Sequence, residues 1–238
     1  NWLRTTIVAL VTLLGSECSP HASEAPHSGA PIHLLSYNLL FRGSDVRSSL
    51  NMIEREDADV VLLQEVTPYW RQILLRRFRK RYPHRRFAPA GSYGYAILSK
   101  YRLGRSEILR QRGGPPHAQC SPLYVPGLAE PIALCNVHLK SPGSVVRRKR
   151  PWAYLKSNWW LRLRQWWHIQ RWCIDHSTRI VAGDMNTPPW DPLYWQLTRN
   201  LQDAYRLRHP NGGSTFPVRS YPYARLNRFL PIWPWLRI

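Results

Sequence analysis

A layered α/β or α+β fold is predicted for this chain, and three observations predict it. From Ile32 onward, apolar runs of strand length alternate with stretches of helical period. Two of those runs, Asp59-Val-Val-Leu-Leu63 and Ile180-Val-Ala182, have the character of buried strands. At 238 residues and 44% hydrophobic content, the chain can enclose one substantial core, which excludes a structureless polypeptide.

Taken in order, His33 to Tyr37 predicts a strand ending at Asn38, and Ser44 is placed to cap a helix running through Val46, Leu50 and Ile53. The second strand ends at Gln64-Glu65. Thr67-Pro68 then supplies an N-cap and a proline at the first helical position for a basic helix from Tyr69 to Lys80. Four runs follow between Gly- and Pro-containing turns: Tyr95 to Ser99, Arg105 to Arg110, Ala118 to Val125 and Pro131 to His138. They read as a mainly antiparallel meander. If the last two pair as a hairpin with Tyr124 facing Pro131, Cys120 falls opposite Cys135. That register permits a disulfide, although two buried free thiols are the commoner outcome for such cysteines. Neither Cys18 nor Cys173 completes a zinc-type spacing. The final strand stops at Gly183, which allows a sharp exit, and Pro188-Pro189 prevent it from continuing. Asp184 and Asn186 follow that glycine two residues apart, so in extended geometry they share a side.

Residues 1–30 read as a targeting or membrane segment plus linker, and residues 31–238 as one domain. The apolar stretch from Ile7 to Leu14 is too short to span a bilayer, and an export-type segment of this kind favours a disulfide further on. The charge balance is lopsided, with 34 Lys+Arg against 14 Asp+Glu and a net charge of +20. Such a surface favours polyanionic partners, nucleic acid or an anionic membrane. Arg147, Arg148, Lys149 and Arg150 form a basic run suited to substrate binding, followed by tryptophans at 152, 159, 160, 166, 167 and 172. Asn158 to Asp175 reads either as an interfacial Arg/Trp segment or as a helix. In the helical reading, Trp159, Leu163, Trp166, Trp167 and Ile169 lie on a sheet, with Arg162, Arg164 and Arg171 solvated.

Four strand ends carry polar side chains: Asn38, Glu65, His138 and the Asp184/Asn186 pair. With their surroundings they form an ordered set: Ser36-Tyr-Asn38, Asp57 through Gln64-Glu65, Gly94 through Ser99-Lys100, Asn136-Val-His-Leu-Lys140 and Gly183-Asp-Met-Asn-Thr187. This set resembles the endonuclease/exonuclease/phosphatase superfamily of metal-dependent hydrolases, which includes DNase I, repair nucleases and bacterial sphingomyelinases. The resemblance runs from Ile32 to the C-terminus. It implies a DNase I-like four-layered α/β sandwich, two mainly antiparallel sheets flanked by helices. It also implies that Glu65 holds Mg²⁺ or Mn²⁺ with help from the amide oxygen of Asn38, since hard cations take oxygen ligands. Asp184 would orient or activate the attacking water, and Asn186 would donate to a phosphoryl oxygen. His138 would contact the phosphate or protonate the leaving oxygen.

One departure accompanies these matches. The family pattern has a later Asp-His pair, typically after a segment such as Leu-Arg-Ile, and here the sequence closes at Leu236-Arg-Ile238. The expectation is therefore a fragment lacking its last strand or strands and a catalytic histidine. The chain also resembles a bacterial subgroup with an N-terminal hydrophobic segment, which implies an exported or membrane-associated, cell-envelope location. The leading expectation is divalent-metal-dependent hydrolysis of phosphodiester bonds by a monomer, nuclease-like in its substrate. Its alternatives are a sphingomyelinase-like phosphodiesterase acting on a phospholipid head group, or a catalytically impaired phosphate-binding protein.

Overall fold

The computed structural model describes residues 9–13, 32–41, 45–141, 151–176, 178–187, 191–204 and 206. Strand β1 (Ala9–Leu13) precedes the unit β2 (Leu34–Asn38), α1 (Val46–Glu56), β3 (Val60–Gln64) and α2 (Pro68–Arg77). Next come β4 (His84–Ala88), a 3-10 turn at Gly91–Tyr93, β5 (Tyr95–Ser99), β6 (Arg102–Leu103), β7 (Glu107–Arg110), β8 (Pro116–Tyr124) and β9 (Ile132–His138). The last described elements are α3 (Pro151–Cys173), β10 (Thr178–Asp184), α4 (Pro192–Leu197) and β11 (Gln202–Asp203).

These strands form two mixed sheets. One runs β11-β1-β10-β9-β8-β6, with β7 also on β8, and the other runs β2-β3-β5-β4. The parallel pairs are β2 with β3 and β9 with β10, and the remaining pairings are antiparallel. Side-chain alternation along each strand divides the core into three slabs. Val60, Leu62, Ile97, Leu134, Ile180 and Ala182 meet between the sheets. Val61, Leu63, Ala96 and Leu98 face outward onto Met52 and Ile53 of α1 and Trp70 and Leu74 of α2. Ala133, Cys135, Val137 and Val181 face the other way, onto Leu163, Trp166 and Ile169 of α3 and Leu193 and Leu197 of α4. Helix, sheet, sheet, helix: the four layers match the expected sandwich.

Several local expectations are met and several corrected. Thr67 caps α2 by accepting from the Trp70 N–H, with Pro68 in the first turn. The cap of α1 is Asp45, whose carboxylate accepts from the Ser48 N–H at 3.2 Å, while Ser44 lies outside the described residues. Cys120 and Cys135 are cross-strand partners and are joined by a disulfide, so the free-thiol outcome does not hold for this pair. Cys173 is a free buried thiol 3.8 Å from Cys135 Sγ, and burial pushes its pKa up to about 12. Strand β4 was not expected, because His84, Arg85 and Arg86 mask any apolar alternation. The Arg86 guanidinium instead donates to the carbonyls of Leu103 and Gly104, tying β4 to the other sheet.

Ala9–Leu13 form β1, paired in register with β10 from Ala9↔Ala182 to Leu13↔Thr178. An apolar strand edge at β10 exposes unpaired backbone groups, and β1 satisfies them. No helix among the described residues is long and apolar enough to cross a membrane.

One buried group carries a pH prediction. His117 of β8 is fully buried against His168, with ring centroids 5.2 Å apart, and neither of its ring nitrogens has a hydrogen-bond partner among the described residues. Burial, with His168 beside it, lowers its pKa from 6.5 to about 4. Between those values the unfolded chain binds a proton that the folded chain refuses, so stability falls as pH drops through that window. Urea titrations at pH 7 and pH 4 should show a loss of up to about 3 kcal/mol attributable to this group. His117→Phe should flatten that slope; an unchanged slope refutes the assignment.

Candidate active site

Two parallel strand pairs bring their C-terminal ends to one edge of the sandwich. In β9 and β10, His138 and Asp184 are register partners and the last residues of their strands. In β2 and β3, Asn38 is the register partner of Gln64, so Glu65 emerges immediately beyond it. Because β2 and β3 lie against β10 and β9 across the inter-sheet core, all four ends converge.

Beneath them, two buried amides lock the sheets together. The Gln64 side chain donates to Asn136 Oδ1 at 2.7 Å and to Ser36 Oγ at 3.2 Å. Asn136 in turn donates to the carbonyls of Leu63 and Ala96, at 2.9 and 3.1 Å. A β9 side chain is thus hydrogen-bonded to the backbone of the opposite sheet, which fixes the spacing of the strand ends above it.

At the edge, the Asn38 amide nitrogen lies 3.0 Å from Glu65 Oε1 and 3.1 Å from Asp184 Oδ2. His138 Nε2 lies 3.8 Å from the same Asp184 oxygen and 4.0 Å from the same Glu65 oxygen. The other Glu65 oxygen accepts from the Phe41 N–H at 2.9 Å, and Asn38 Oδ1 accepts from the Leu40 N–H at 2.9 Å. Glu65 and His138 are largely enclosed, each with a side chain 12% exposed, whereas Asp184 at 27% is the more open group. Below them the Tyr95 ring is buried, and burial, reinforced by the Asp184 charge, pushes its hydroxyl pKa upward.

The backbone here is bent into conformations that favour glycine. Glu65 has φ 61° and Asn186 φ 47°, left-handed values for residues with a Cβ. Asn186 therefore does not share a face with Asp184 through extended geometry, as the two-residue spacing suggested. It turns back, its N–H donating to Asp184 Oδ1 at 3.0 Å and its side-chain amide to the Leu139 carbonyl at 2.9 Å. Gly183 has φ 146°, and a Cβ there would sit 2.0 Å from the Val137 carbonyl oxygen.

Sequence reasoning missed Arg162. Expected in solvent, it is buried and paired with Asp191 at 2.5 Å, and it donates to the Asn186 carbonyl at 3.0 Å and Thr187 Oγ1 at 3.2 Å. A buried guanidinium needs acceptors; the Asp191 cap of α4 and the loop after β10 supply them to its two terminal nitrogens. Neighbouring Gln165 accepts from the Lys140 N–H, holding the loop after β9. Trp167, expected against the sheet, is instead half exposed. The basic run Arg147, Arg148, Lys149 and Arg150 lies outside the described residues.

The donor set suits a hard cation. Two carboxylate oxygens face a single point with only a neutral amide between them, and oxygen ligands of this kind are what Mg²⁺ or Mn²⁺ takes. No group of three or more His, Cys, Asp or Glu side chains among the described residues is arranged to hold a metal by itself, so a cation here would rely on the amide and on substrate oxygens.

The family model for endonucleases, exonucleases and phosphatases matches residues 35–234, spanning all five site residues. The chain belongs to the endonuclease/exonuclease/phosphatase family. No curated protein matches it in sequence. Among solved structures, the catalytic domain of human Nocturnin with bound sulfate is 21% identical, with TM-score 0.55, covering 79% of this chain and 76% of that one. Truncated TDP2 from Caenorhabditis elegans is 16% identical, with TM-score 0.52, covering 67% of this chain and 64% of that one. An AP endonuclease from Archaeoglobus fulgidus is 17% identical, with TM-score 0.50, covering 67% and 59%. These likenesses establish the DNase I-like fold of the family. The chain spans between about half and two thirds of the TDP2 structures it matches.

Proposed function

We propose that this family member hydrolyses phosphodiester bonds, with Asp184, Asn186 and His138 acting on substrate and Glu65 with Asn38 holding a divalent cation. The observation that carries the reading is the convergence of Glu65 and Asp184 on the Asn38 amide, with His138 Nε2 within 4.0 Å of both carboxylates, at the ends of four strands. Glu65 and Asn38 would hold Mg²⁺ or Mn²⁺, with the amide turned so that Oδ1 faces the carboxylates. Bound there, the cation would neutralise phosphoryl charge.

This chain's own groups divide the remaining work. Asp184, the most open of the three, orients a water and takes its proton, while its second oxygen is held by the Asn186 N–H. His138 Nε2 is placed to donate to the phosphate or to the leaving oxygen. One Asn186 amide hydrogen is spent on the Leu139 carbonyl; the other is available to a phosphoryl oxygen as charge builds in the transition state. Nucleic acid is the favoured substrate because of the +20 net charge. The solved structures that resemble the chain include an AP endonuclease, and that likeness supports the same choice.

The test sets supercoiled DNA beside sphingomyelin and phosphatidylcholine vesicles, each with Mg²⁺ and with EDTA. Nicking that needs Mg²⁺ is the expected result. Cleavage of vesicles alone overturns the nucleic-acid assignment, and turnover undiminished by EDTA overturns the cation.

A further inference from the structure

We propose that the outer face of α3 is a docking surface for an anionic lipid bilayer. Along this helix Lys156, Trp160, Arg164, Trp167 and Arg171 are exposed, and Ile174 continues the row just past its end. Their spacings of three and four residues place them in one stripe. The opposite face, with Leu163, Trp166 and Ile169, is buried on the sheet.

The stripe is not the usual solvated back of a helix. Trp160 is 44% exposed, Trp167 50% and Ile174 65%, and on the neighbouring α4 Trp195 reaches 73%. Both helices bury their inner sides in the same core, so these apolar groups belong to one outer layer. Single exposed apolar residues need no explanation, but a row of them does. Helix α3 contains no Asp or Glu, and the first acid, Asp175, comes after its end. Cationic heads and indoles on one convex face complement lipid phosphates and the interfacial zone beneath them.

Nucleic acid fits less well. Trp160 and Trp167 are two turns apart, about 10 Å along the axis, and stand on a convex rod rather than in a groove that tracks a strand. Ile174 offers neither a stacking plane nor a hydrogen bond to a base, yet it suits an acyl boundary. The docked face also leaves the cleft free, since Arg162 and Gln165, which reach the site loops, project from the opposite side.

The proposal stands apart from the hydrolytic reading and is tested by binding alone. The full chain is sedimented with phosphatidylcholine vesicles, with and without phosphatidylserine, at low and high salt. We expect binding that requires phosphatidylserine, weakens with salt and falls about tenfold or more in W160S/W167S. R164Q/R171Q should lose roughly fivefold per arginine at low salt. Because these side chains are exposed, both variants should keep the wild-type circular dichroism and urea midpoint. Absence of wild-type binding overturns the proposal, as does undiminished binding by W160S/W167S, which assigns any lipid affinity to another surface. Loss of single-stranded DNA binding or of self-association in the same variant, with vesicle binding intact, gives the face to a different occupant and overturns it too.

Discussion

Asp184→Ala is expected to lower phosphodiester turnover by roughly a thousandfold, with the circular dichroism spectrum preserved. The carboxylate is the most exposed of the three ionisable groups at the site, so its loss opens no core cavity. It is nonetheless the acceptor shared by the Asn186 N–H and the Asn38 amide, and it lies nearer to His138 Nε2 than the Glu65 carboxylate does. In the proposed mechanism, removing it deprives the attacking water of its base, and it releases two neighbours from their positions. Asp184→Asn separates these effects, because it keeps the shape while removing the charge and the basicity. A comparable loss in both variants assigns the effect to proton transfer; a large loss in Ala alone assigns it to positioning. Initial rates on supercoiled DNA in Mg²⁺ decide the matter, and turnover within about tenfold of wild type for Asp184→Ala would remove Asp184 from the mechanism.

The largest stability effect is expected one residue earlier. Gly183→Ala places a methyl 2.0 Å from the Val137 carbonyl oxygen and 2.7 Å from its nitrogen, at φ 146°. Both obstacles are backbone of the register partner strand, so no side chain can swing aside. Strands β9 and β10 must separate locally, at the point where the sheet presents His138 and Asp184. A cost above about 4 kcal/mol is expected, a large share of the roughly 5–15 kcal/mol by which domains are stable. Urea unfolding should show a midpoint far below the wild-type value. A loss under about 1 kcal/mol would mean that the close approach at Val137 is not a feature of the folded chain.

Elements defined by contiguous residues were legible in advance. The apolar runs of β3 and β10, the Thr67-Pro68 start of α2 and the facing of Cys120 with Cys135 follow from local periodicity, capping and hairpin counting. So do the candidate site residues, because Asn38, Glu65, His138 and Asp184 each end or follow an apolar run at a strand terminus. Arg162 was misjudged because its charge and spacing say solvent, while its acceptors, Asn186, Thr187 and Asp191, lie 24 to 29 residues downstream. Strand β4 was invisible because basic residues interrupt its pattern, and their partners belong to other strands. The left-handed turn at Asn186 escaped a rule that assumes extended chain.

The sequence by itself determined most of the strands and helices and which polar residues terminate them, since these depend on neighbours within a few positions, and the order of those strand-end motifs along the chain pointed to the family. Only the tertiary structure decided that the Asn38 amide would stand between Glu65 and Asp184, the latter 146 residues away. It alone decided, too, that Gln64 and Asn136 would pin one sheet to the other and that Trp160 and Trp167 would face outward. Those outcomes depend on how two sheets stack and how α3 rolls against one of them. Burial of the whole core sets that arrangement, and no local pattern encodes it.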